Sequence, residues 1–267
     1  MDFKRITSGL IVAVTVAIMM LIPNNYIIGI LLAIISAVAM HEYQNAISKV
    51  CKPIRWVSYI SCLSVAIVNL IPKENALIVL QMAIPTILLV LFAQVIATDM
   101  KTSFKDMCYS FLGICYIPLF MSFLTLIDGM NNGKILIGYI LMSAWGTDVF
   151  AYLIGKKFGK HKFSKVSPKK SIEGCIAGTL GAMIIMLIYT YILNTYFNFN
   201  YSYIYIGIIG IVLSLISQIG DFSASCIKRY VDIKDYSNLL PGHGGMLDRI
   251  DSVLFLAPFA YLLFTIL

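Results

Sequence analysis

Nine apolar runs recur along this chain, at residues 8–22, 26–40, 56–71, 76–98, 107–127, 134–154, 174–195, 202–220 and 252–267, and they leave few folds open. Several are long enough for a bilayer core, which takes about 20 helical residues. The shorter ones need tilt or flanking residues that reach the interface. With 60% hydrophobic and 12% charged residues over 267 positions, a soluble globular fold is excluded. The expected fold is all-α: a polytopic integral membrane protein of about nine transmembrane helices. The run at 134–154 is unusual in carrying Asp148 inside it.

The cations set the expected topology. With nine spans, one side holds 18 of the 20 Lys and Arg, and the other holds only Lys73 and Lys134. A wrong span count would scramble this asymmetry, so it points to a cytoplasmic N-terminus. The net charge of +7 then serves insertion and attraction to anionic lipid headgroups, and calls for no nucleic acid. Lys4 and Arg5 precede an apolar run that ends at Ile22-Pro23-Asn24-Asn25 without a small-x-small cleavage pattern. It reads as an uncleaved first span. The six cysteines form no CxxC pair and read as small buried side chains, not as disulfides or zinc ligands.

Polar chemistry is concentrated in two long connections, 155–173 and 221–251. Between Ser225 and Asp251 lie Lys228, Arg229, Lys234, Arg249, four carboxylates (Asp232, Asp235, Asp248, Asp251), His243 and a Gly-His-Gly-Gly turn. Carboxylates beside cations and a glycine turn suit phosphates and divalent metal at a bilayer surface. If the helix of 202–220 continues, Asp221, Ser225 and Lys228 are spaced i, i+4, i+7 and share a face. Lys228 and Arg229 equally fit a pair snorkelling at a helix end. Asp221, an acid at the membrane boundary, calls for a partner. The glycines of 242–245 allow a sharp turn that brings N–H groups to an anion. Asp248 and Asp251 precede the last run, and Asp251 is the expected helix cap.

A third candidate is Asp148 with the loop after it. Positive-inside charge explains Lys156, Lys157, Lys160, Lys162 and Lys165. It explains Ser167-Pro168-Lys169-Lys170-Ser171 less well, since lysines and hydroxyls about a proline make a compact polyanion cradle. Glu173 reads as a cap-region charge or an anchor for a lysine.

The segment Ser225-x-Ile227-Lys228-Arg229, Lys234-Asp235-x-Ser237, Leu240-Pro241-x-His243-Gly244-Gly245-Met246-x-Asp248-Arg249-Ile250-Asp251 resembles the signature of the phosphatidate cytidylyltransferases, the CDP-diacylglycerol synthases. Gly220-Asp221, Trp145/Asp148/Tyr152 and Ser167 to Gly174 resemble that family too, with Ile172 standing where an aromatic residue is common. The resemblance implies a single membrane-embedded domain, with N-terminal helices over 1–133, catalytic helices and loops over 134–267, and a cytoplasmic-side active site. It implies transfer of CMP from CTP to phosphatidate, with pyrophosphate released. Asp221, Asp248, Lys228, Arg229 and His243 are then the catalytic candidates. Asp148, Ser167, Lys169, Lys170, Ser225 and Arg249 are the substrate-binding candidates. Asp221, Asp248 and Asp251 are the metal candidates for Mg2+, singly or in a two-metal site. The expected partners are CTP, phosphatidate, membrane lipids and, as the simplest oligomer, a second copy of the chain; the expected place is the bacterial plasma membrane. A transporter would spread charge to mid-membrane and show repeats. Another membrane lipid-phosphate transferase, of the CDP-alcohol type, would carry Asp-Gly-x-x-Ala-Arg, whereas Asp128-Gly129 is followed by Met130-Asn131-Asn132-Gly133.

Overall fold

The structure is a computed structural model that describes residues 14–164, 167–168, 170–240, 242 and 244–266. Residues 14–21 are helical. The helices that follow are α1 (Asn25–Ile47), α2 (Arg55–Leu70), α3 (Lys73–Ala97), α4 (Phe104–Asp128), α5 (Gly133–Phe158), α6 (Ile172–Tyr196), α7 (Tyr203–Tyr230) and α8 (Leu247–Phe264). Among the described residues the remaining regular pairing is two isolated bridges, Lys162 with Ser171 and Leu240 with Gly244. The all-α, multi-pass architecture follows from the apolar runs, each of which is mainly helical where described.

Six helices, α1 and α3 to α7, are long and apolar enough to cross a membrane. The α2 run is shorter and breaks into Arg55–Cys62, Ser64–Ile67 and a 3-10 turn at Val68–Leu70. The α8 helix carries Asp248, Arg249 and Asp251 within its first turns. In α4 the run is not uniform: Cys115–Leu119 is a π turn containing Pro118. A proline lacks the N–H that a regular helix would use, and a π turn absorbs that gap.

The chain divides into two compact units, Met1–Asn131 with Lys228–Ile250, and Asn132–Ile227 with Asp251–Leu267. In the first, α1 is locked to α4. Tyr43, fully buried, donates its hydroxyl to the Tyr109 carbonyl at 2.9 Å, and its ring fills the space where Gly113 lacks a side chain. The Ser103/Asp106 capping box starts α4. Asp106 also accepts the Lys52 N–H at 2.6 Å, and Ser110 accepts that of Ile54 at 2.8 Å, which ties down the α1–α2 connection.

In the second unit α5 and α6 pack backbone to backbone. A Cβ on Gly174 would stand 2.8 Å from the Ala151 carbonyl oxygen, and one on Gly178 2.8 Å from that of Thr147. Gly174, Gly178 and Gly181 recur at i, i+4, i+7, the small-residue stripe that lets apolar helices approach closely in lipid. Buried hydroxyls are paired across the helices: Thr147 with Ser214 at 2.7 Å, and Tyr139 with Thr190 at 2.9 Å.

Candidate functional site

The second unit carries the first cluster. Ser171 caps α6 by accepting the Gly174 N–H, and the chain before it doubles back. Phe163 donates its N–H to the Lys170 carbonyl at 3.0 Å, and Ile172 donates to that of His161 at 2.9 Å. The turn is closed by the Lys170 N–H on the Ser167 carbonyl. Glu173 is the cap-region charge of the two alternatives: it sits in the first turn of α6, where its carboxylate takes its own main-chain N–H, the His161 ring nitrogen at 2.7 Å and the His161 main-chain N–H. This fold delivers Lys170 to Asp221, with which it forms an ion pair. The ammonium also lies 4.7 Å from the centre of the Phe222 ring, which stacks on Phe163 at 4.8 Å. The boundary acid Asp221 therefore has its partner, and both side chains remain about a quarter exposed.

Beside this pair opens a cleft of about 640 Å³ between α6 and α7, lined almost wholly by apolar groups that include Phe163, Ile176, Leu215, Phe222 and Cys226. Gly220 has no room for a side chain, since a Cβ would stand 3.0 Å from the Asp251 carbonyl oxygen. The start of Asp251's turn is thus pressed against the residue preceding Asp221. Asp251 is 6% exposed, and its Oδ1 accepts the Ser252 N–H. It lies inside α8 and is not the helix cap expected of it.

The first unit carries the second cluster. The α7 helix runs on to Tyr230, so Asp221, Ser225 and Lys228 do share a helix at i, i+4, i+7. It stops at Asp232 in the left-handed region (φ 53°), with the Ile233 N–H returning to the Lys228 carbonyl. Lys228 reaches Asp248 Oδ1 at 2.6 Å, with the side chains 12% and 3% exposed. Asp248 Oδ2 accepts the Tyr236 and Gly245 N–H groups, each at 2.9 Å. Three further donors go to Glu42 of α1. Its carboxylate is 4% exposed and accepts the N–H groups of Met246 at 2.9 Å and Leu247 at 2.7 Å, and the Ser237 hydroxyl. Among the described residues, the N–H groups of Gly245, Met246 and Leu247 thus bind two carboxylates of the protein itself. Gly244 (φ 81°) bends the chain around Asp248, and a side chain on Gly245 would lie 2.6 Å from both Glu42 oxygens.

Glu42 was missing from the candidates although it, too, is an acid at the end of an apolar run, the signal that marked Asp148 and Asp221. Asp148 itself lies on an exposed face of α5. Arg229, which donates to the Ile233 carbonyl, and Arg249 are exposed, and Ser167 and Ser225 are half-buried. Lys169 and His243 lie outside the described residues.

No group of three His, Cys, Asp or Glu able to hold a metal occurs among the described residues. Magnesium at a nucleotide takes one or two carboxylates and completes its shell with phosphates and water. Asp221, partly exposed and next to the Asp251 turn, fits that donor set. Asp248 fits it only where Lys228 gives way, because its oxygens already accept three hydrogen bonds.

The sequence model of the cytidylyltransferase family matches residues 3–267. This chain belongs to that family. It is 36% identical over 181 residues to the phosphatidate cytidylyltransferase of Thermotoga maritima, a stretch covering 67% of this chain and 66% of that one, just under two thirds. The phosphatidate cytidylyltransferase of Bacillus subtilis is 35% identical over 186 residues (69% and 67%), and that of Staphylococcus aureus 32% over 255 residues (93% and 94%).

Proposed function

We propose that this chain is a CTP:phosphatidate cytidylyltransferase, which makes CDP-diacylglycerol and pyrophosphate for phospholipid biosynthesis. The observation that carries it is the Ser225–Asp251 segment, set in a multi-pass membrane chain matched to the family over residues 3–267. An ionised phosphate oxygen of phosphatidate attacks the α-phosphorus of CTP. The new P–O bond forms as the bond from that phosphorus to the oxygen bridging the β-phosphate breaks, and pyrophosphate leaves. No general base is needed, because the nucleophilic oxygen carries no proton that must be removed.

Both substrates are polyanions, so the protein's task is to hold them together against repulsion. Lys170, held ready by Asp221, takes the CTP triphosphate with Lys169, and the hydroxyl of Ser167 adds a donor. Lys228, Arg229 and Arg249 take the phosphatidate headgroup, the arginines by two-pronged contact. Ser225 lies on the Asp221–Lys228 face and supports a phosphate oxygen. Asp148 supports the nucleotide, and His243 orients a phosphate. The apolar cleft beside Phe222 suits an acyl chain. Mg2+, when bound, neutralises charge on the transferring phosphoryl group and on pyrophosphate. Asp221 and Asp251 would hold it. The N-terminus and both polar loops face the cytoplasm of a bacterial plasma membrane, where CTP is at hand.

Purified protein given Mg2+, CTP and phosphatidate in detergent forms CDP-diacylglycerol and pyrophosphate, and ATP or GTP serves far less well. Absence of any nucleotide-linked lipid across a range of Mg2+ and detergent overturns the assignment.

A further inference from the structure

We propose that Glu42 is a positioning residue for the transfer reaction, its carboxylate fixing Ser237 and the 244–248 turn to helix α1; this rests on the function just given. Three hydrogen bonds carry the clamp: Met246 N–H and the Ser237 hydroxyl on Oε1, Leu247 N–H on Oε2. Asp248 takes two more loop donors and the Lys228 ammonium. The loop is strung between two buried carboxylates, one its own and one from a helix some 200 residues earlier.

A helix start needs only a local Ser, Thr, Asp or Asn to satisfy its first N–H groups. Supplying the cap from α1 buries a carboxylate, which is costly unless fully bonded, and it forces glycine at 245. What a remote cap adds is location. The α1 helix is itself anchored, by Tyr43 on the Tyr109 carbonyl and by the Lys52 and Ile54 N–H groups on Asp106 and Ser110. Glu42 thereby sets where Asp248, and through it Lys228, stand. A phosphate-holding lysine a fraction of an ångström out of place weakens the reaction rather than the fold.

Glu42→Gln keeps size and one acceptor oxygen but turns an NH2 toward a loop donor. In wild-type and variant protein, kcat and KM for CTP are measured per folded molecule, together with hydrogen exchange of the 244–248 amides. For Glu42→Gln, kcat falls by about 10²-fold, the loss expected of small misplacement, while KM for CTP moves less than about threefold. Exchange at Met246 and Leu247 accelerates while the α1 amides keep their protection. Ser237→Ala removes one bond of the three and gives a smaller fall in kcat with the same split, which serves should Glu42→Gln not fold. Wild-type kcat per folded molecule in whichever variant folds overturns the proposal, because Glu42 would then be only a structural cap. Should wild-type protein make no CDP-diacylglycerol, the proposed function fails by itself, and unchanged exchange at 246–247 in the variant still overturns the clamp.

Discussion

Replacing Asp248 by Asn separates two jobs for that carboxylate: metal ligand, or counter-ion of Lys228. The ion pair spans 2.6 Å, with side chains 3% and 12% exposed. An Asn oxygen still accepts the Tyr236 and Gly245 N–H groups, so the loop keeps those bonds. Its amide NH2 then faces the Lys228 ammonium, a donor against a donor. Breaking a buried pair from one side leaves an uncompensated charge and costs about 3–5 kcal/mol. At about 2–4 °C per kcal/mol, detergent-solubilised Asp248→Asn protein loses roughly 6–20 °C in Tm. Lys228→Met leaves a carboxylate with two N–H donors and costs less, about 1–3 kcal/mol. The double variant removes both charges, so its Tm lies above that of Asp248→Asn alone, although both lack activity. Thermal unfolding of the four proteins, followed by size exclusion, decides the matter. A Tm for Asp248→Asn within about 2 °C of wild type, or a double variant less stable than either single one, refutes the counter-ion role.

The Lys170–Asp221 pair predicts that Lys170→Gln raises the apparent KM for CTP at saturating phosphatidate. Lys156→Gln, which removes the same charge from a side chain lying near the Tyr152 ring, leaves that KM unchanged; equal behaviour would reduce the loop lysines to insertion charge. Asp232→Asn is mild in both stability and turnover, because Asn tolerates the left-handed stop of α7; a large loss would show that Asp232 does more. Burial, with Asp106 adding to it, pushes the Cys51 thiol up to about 11, so little thiolate exists at neutral pH. In a variant keeping only Cys51, an impermeant maleimide reacts in inside-out vesicles about tenfold faster per pH unit up to that value, and not with intact cells; a flat pH profile or external labelling would contradict this.

How much of this was legible in the sequence varies by residue. The helices were, because a bilayer core selects long apolar runs whatever their tertiary neighbours. The breaks in α2 and the π turn at Cys115–Leu119 were not, since a run of apolar residues does not record where hydrogen-bond register shifts. Asp221 and Lys228 were legible as helical neighbours, being on one continuous element. The pairing of Lys170 with Asp221 was not, because it depends on the hydrogen bonds that bring Phe163 to Lys170 and Ile172 to His161. The glycines of 242–245 announced an anion but could not say whose: spacing does not distinguish a substrate phosphate from Glu42. Glu42 is harder to read, because its apolar run ends at Met40, two residues before the acid. Asp251 looked like a cap because it directly precedes apolar residues, yet α8 begins at Leu247 and its first N–H belongs to Glu42.

The most direct test follows labelled phosphorus. Purified protein is given phosphatidate, Mg2+ and CTP labelled at either the α- or the γ-phosphate. Attack at the α-phosphorus puts the α-label into lipid and leaves the γ-label in pyrophosphate. Gamma-label in lipid would mean phosphoryl rather than cytidylyl transfer, and absence of label in lipid from either nucleotide would contradict the cytidylyltransferase assignment altogether.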